Sequence, residues 1–105
     1  MAIRQNASMR RADFVFCIGY DGSTAIVDGR QQRRHGALDA GGLAAAGLYK
    51  QALARAAFDG DAAAGASILE HYNAHTAHPV GTVAELERLY GTTTAPEGVT
   101  KVNAV

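Results

Sequence analysis

His71, His75 and His78 fall in the run His71-Tyr72-Asn73-Ala74-His75-Thr76-Ala77-His78. An i, i+4 pair on a helix sets two imidazoles on one face, an arrangement from which zinc or nickel is ligated. His78 would have to fold back to join them, with Glu70 or Asp61 as an oxygen ligand. The run has no His-Glu-x-x-His order and no partner cysteine. Histidines at a helix end also complement the helix dipole while facing solvent. That plainer role is the expected one, and a divalent metal at His71, His75 and His78 is the alternative; no other cofactor is expected.

A second set is cationic. Arg30-Gln31-Gln32-Arg33-Arg34-His35 lies just after a pair of apolar runs, and Arg10 and Arg11 lie just before it. Arginines held beside a β-hairpin can contact phosphates, with Tyr20 at the loop offering a ring to a base. A solvated or intersubunit salt-bridging loop accounts for the same residues. Nucleic acid is therefore a possible partner of Arg10, Arg11, Tyr20, Arg30, Arg33 and Arg34, but not the favoured one.

Catalytic signals are poor. Gly19-Tyr20-Asp21-Gly22 is no phosphate-binding loop, because its flanks read as strands where a helix would have to follow. Ser8, Ser23 and Ser67 carry no nucleophile motif. Asp13 and Asp28 would approach each other only if the hairpin is symmetrical, and Arg11 and Arg30 would then pair with them. Cys17 stands alone in an apolar run, so no intramolecular disulfide can form and a structural thiol is expected. No residue calls for an enzyme.

These side chains need elements to hold them. Phe14-Val15-Phe16-Cys17-Ile18 and Thr24-Ala25-Ile26-Val27-Asp28 flank Gly19 to Ser23, which predicts a hairpin over 13–28. Residues 1–12 are polar and basic without periodicity, and read as a flexible arm. Gly29 to Gly36 reads as a basic connection. Asp39 caps a predicted helix to about Phe58, in which Gly41, Gly42 and Gly47 suggest close approach of another backbone. Asp59-Gly60-Asp61 stops that helix and starts the next, over about 62–74. Thr82-Val83-Ala84-Glu85 has capping-box spacing, and Gly91 would close the helix that follows. After Pro96-Glu97-Gly98, Val99 to Val102 can add a third strand. The expected architecture is α+β: an N-terminal β-hairpin, with a possible third C-terminal strand, packed on about three helices in a single domain over 13–105.

At 105 residues the chain buries roughly 65% of its unfolded surface. Alanine dominates its apolar residues, and with no Trp, three Phe and four Tyr the core is thin. Self-association would thicken it. The net charge is zero, yet residues 1–35 carry +3 and the remainder −3, a division that marks an interaction face or a basic edge docking an acidic one. No apolar run follows the basic N-terminus as in a signal peptide, and none reaches membrane-spanning length. The reading is a small cytoplasmic interaction or assembly module, expected to be a homo-oligomer, with a protein partner as a further candidate and no membrane partner. Contact with nucleic acid or a histidine metal site are the alternatives.

Overall fold

The computed structural model describes residues 2–5, 9–91 and 98–105, with only the backbone placed for 2–5. The fold is α+β, and its contacts gather into two compact units: 1–37 with 95–105, and 38–94.

The first unit is built on a sheet. Strand β1 (Ala2–Gln5), helix α1 (Arg11–Val15), strands β2 (Cys17–Asp21) and β3 (Thr24–Val27), helix α2 (Gly29–His35) and strand β4 (Lys101–Ala104) make it up. The sheet order is β1-β4-β3-β2. β2 and β3 form the expected hairpin, and β4 lies parallel to β3 and antiparallel to β1. The C-terminal segment thus joins the sheet, two residues later than its apolar pattern suggests. Ala25, Val27 and Val102 are buried. By register they share one face of the sheet. Phe14, Val15 and Phe16 complete this core, with α1 lying against β3.

Three expectations are corrected here. Residues 2–5 pair with β4 where an arm was expected; residues 6–8 lie outside the described residues. Phe14 and Val15 belong to α1, not to a strand, so the first hairpin arm begins at Cys17 and its turn shortens to Gly22-Ser23. The local cause is Asp13, whose Oδ2 accepts the Arg10 N–H at 3.0 Å and closes the first turn of a helix. The basic connection is helical as well. Asp28 caps it, with Oδ1 accepting the Gln31 N–H at 3.1 Å. Gly29 suits this start because α2 passes the end of β4: its N–H donates to Val105 O at 3.0 Å, and a Cβ at Gly29 would sit 2.9 Å from that oxygen.

The second unit is helical: α3 (Ala40–Ala45), α4 (Tyr49–Asp59), α5 (Ala62–His75) and α6 (Val83–Tyr90). The single helix expected over 39–58 is broken. Gly47 takes φ +79°, its N–H donates to Ala44 O, and the Leu48 N–H donates to Leu43 O. This is the left-handed C-terminal closure that glycine permits. Gly47 therefore serves a turn rather than a close helix contact. The same closure repeats at Gly60, where the Gly60 and Asp61 N–H groups donate to Ala57 O and Ala56 O. Asp39, Asp61 and Thr82 cap α3, α5 and α6 as expected, accepting from Gly42, Ala64 and Glu85 N–H at 2.7, 3.0 and 3.1 Å. Glu85 reaches back to the Gly81 N–H rather than to Thr82. Leu43, Leu53, Ile68 and Leu86 are fully buried, with alanines filling the gaps between them.

Candidate functional site

Three places gather polar chemistry, one in the sheet unit and two in the helical unit. In the sheet unit, Asp13 is buried, 5% exposed. Besides capping α1 it reaches across to α2, its Oδ1 accepting from Gln32 Nε2 at 3.4 Å. One carboxylate thus ties the two short helices together. Arg10 and Arg11 at the start of α1 and Arg30, Arg33 and Arg34 on α2 are all exposed. Positions 30, 33 and 34 have the i, i+3, i+4 spacing of one helix face. Tyr20 stands at the rim of this unit, 44% exposed, with its hydroxyl 3.9 Å from Met9 Sδ beside Arg10. Partial burial pushes the Tyr20 phenol up to about 12, helped by a hydrogen bond to Cys17 and then by that thiol's charge. The Cys17 thiol also donates to Gly19 O at 3.2 Å, and the side chain is half-buried. All six cationic and aromatic candidates therefore lie on one compact unit.

The second place is an aromatic cluster from three helices. Tyr49 of α4 shares a 2.8 Å hydrogen bond with His71 Nδ1 of α5. Its ring meets Tyr72 edge-on, with centroids 5.2 Å apart, and lies 6.1 Å from Tyr90 of α6. Burial raises the Tyr90 phenol above its usual range, with smaller contributions from Tyr72 and then Tyr49. His71 and His75 stack at 4.3 Å, 20° from parallel, and His75 Nδ1–H donates to His71 O at 2.8 Å. A chelating pair needs its lone pairs aimed at one point about 2 Å from each nitrogen. Stacked rings hold theirs in two nearly parallel planes instead, and His71 Nδ1 is already bonded to Tyr49. His78 is exposed on the loop after α5, which Asn73 clasps through a pair of bonds to the Val80 backbone. Among the described residues, no three His, Cys, Asp or Glu side chains are grouped to hold a metal ion. The cluster packs α4, α5 and α6 together, with the Tyr49 hydroxyl hydrogen-bonded to His71.

The third place is a cavity of about 290 Å³ lined by Asp39, Arg55, Asp59 and Asp61 over the small side chains of Ala40, Ala56 and Ala64. Arg55 is half-buried there, and its Nη1 donates to Leu38 O at 2.9 Å.

The chain matches no protein-family model, no curated protein and no solved structure. Function must therefore be argued from these sites themselves. Among the described residues, no helix is long and apolar enough to cross a membrane.

Sequence reasoning missed two of the three places. Tyr49, Tyr72 and Tyr90 lie far apart in the sequence, and only the packing of α4, α5 and α6 brings them together. Asp39 and Asp61 read as caps, which they are, and nothing in their spacing announces that Arg55 lies beside them. The arginine set was visible in the sequence, but the helix that carries three of its members was not.

Proposed function

We propose that this protein is a small, non-catalytic interaction module whose working surface is the arginine face of α1 and α2. The observation that carries the reading is the Asp13–Gln32 bridge, which joins the two arginine-bearing helices through a buried carboxylate. Arg10, Arg11, Arg30, Arg33 and Arg34 outnumber Asp13 and Asp28 on the two helices and their caps by five to two, a net +3. Among the described residues, the side chains of Arg30, Arg33 and Arg34 make no recorded hydrogen bond or ion pair. Exposed guanidinium groups in such a row suit an anionic partner. Its lone cysteine suits a cytoplasmic location.

Retention on immobilised heparin, a generic polyanion, tests this. The wild type is expected to be held at low salt, and the R30E/R33E/R34E variant to pass through. A wild type that also passes through would end the reading.

A second reading is self-association. The sheet unit holds seven basic and four acidic residues, a net +3, while the helical unit holds three and six, a net −3. The charge division seen along the chain therefore follows the compact units, so the basic unit of one copy has a complement on another. Light scattering after size exclusion at low and moderate salt measures it. Opposite-charge pairing predicts an oligomer that dissociates as salt is added. A monomer under both conditions removes this second reading.

A further inference from the structure

Resting on the interaction-module reading, we infer that the partner of the α1–α2 arginine face is the sugar–phosphate backbone of a single-stranded nucleic acid, with Tyr20 stacking on a base. Apart from His35, the basic side chains at α1 and on α2 are arginines, with no lysine among them. The guanidinium fork matches two phosphate oxygens at once, a fit the point charge of lysine does not offer. Arg30, Arg33 and Arg34 form a row on a helix of seven residues, about 10 Å long, which spans two or three phosphates of one strand.

Tyr20 decides between single strand and duplex. An exposed ring near the start of α1 offers a platform only to a base that is not already stacked inside a helix. Its contact with Met9 places the platform next to Arg10 and Arg11. An acidic protein surface is the weaker fit, even on a second copy of this chain. In the helical unit Asp39, Asp61 and Glu85 already accept backbone N–H groups at helix starts. Phosphates in a strand, by contrast, present a regular row of charges.

Fluorescence anisotropy with a labelled oligothymidine tests the assignment on the full chain. Parallel arms use a duplex of the same length and polyglutamate. Binding is expected at about 25 mM salt, weakening with a log–log slope near −2 to −3, about −0.7 for each phosphate contacted. The R30Q/R33Q/R34Q variant should bind at least tenfold more weakly, and Tyr20→Ala about tenfold more weakly. Replacing the same three arginines by lysine should lose a smaller factor, which separates geometry from charge. Circular dichroism of each variant checks that it folds.

No oligothymidine binding by the wild type, or equal binding by the triple variant, overturns the inference. Duplex bound as tightly as single strand overturns the role of Tyr20. Polyglutamate bound in preference to oligothymidine, with heparin retention intact, sinks the nucleic-acid assignment and leaves the module reading standing. Loss of heparin retention as well sinks both.

Discussion

In the helical unit, charge is used to start helices and aromatic rings are used to join them. Asp39, Asp61 and Glu85 hold backbone N–H groups, while Tyr49, Tyr72, Tyr90 and His71 meet between α4, α5 and α6. The sheet unit also caps its helices with aspartates, but one of them does something further. Asp13 is buried and joins α1 to α2, and the arginines around it stay exposed. A buried polar link between two short helices is a costly way to pack, since the carboxylate must be desolvated and every lone pair matched. An apolar contact would serve stability as well. The sheet unit keeps its arginines exposed on two helices joined through a polar contact, whereas the helical unit joins its helices through aromatic rings.

The comparison can be broken most sharply in the helical core. Leu86→Ala should cost about 2–5 kcal/mol, because Leu86 is fully buried and the cavity left behind cannot collapse without moving α6. Urea unfolding followed by tyrosine near-ultraviolet dichroism would report it, and a loss under about 1 kcal/mol would show that α6 is not part of a tight core.

Asp13→Ala is next, at about 1–3 kcal/mol, since it strips both the α1 cap and the partner of Gln32. It should also weaken heparin retention although no cation is removed. A variant that loses stability yet keeps full retention would show that the bridge does not organise the arginines.

Tyr49→Phe removes one hydroxyl from the aromatic cluster and leaves the ring in place. About 1 kcal/mol should be lost with its hydrogen bond to His71, and polyanion binding should not change. A change in binding would contradict the division of labour between the two units.

The smallest effect is alkaline. A raised folded-state value for Tyr20 means that its neutral form stabilises the fold fully below pH 10. That contribution is lost as pH rises from 10 through about 12, where the unfolded chain ionises first. Phenolate absorbance should show the Tyr20 signal appearing last, and its disappearance from the titration of Tyr20→Phe would assign it. Ionisation of that phenol near 10 would show that neither the partial burial of the ring nor its Cys17 contact is kept in solution.

Much of the local structure was written in single residues. Asp39, Asp61 and Thr82 announced three helix starts because an N-cap needs only a short oxygen-bearing side chain and a free N–H two or three residues on. Gly22 and Gly91 marked a turn and a helix end for a similarly local reason: both take a positive φ that other residues resist. The histidine triplet and the arginine row could be picked out by spacing alone.

Errors arose where a local rule was outvoted. Phe14 and Val15 look like strand residues, but Asp13 holds them in a helical turn that buries both against the hairpin they were expected to join. Gly29 at the first position of α2 hid that helix, since the need for glycine comes from Val105, far away in sequence. Gly47 was taken for a packing notch when its role is to reverse the chain between α3 and α4.

By itself, then, the sequence determined the α+β class, three of the six helix starts, the hairpin, and the segregation of charge, all properties set within a few residues or by counting. Only the tertiary structure decided that β4 lies between β1 and β3, that three tyrosines and a histidine meet, and that one buried carboxylate links the two helices on which the arginines sit. Those depend on pairings across long stretches of chain, and their free energy comes from burial and hydrogen bonds between segments that no local preference specifies.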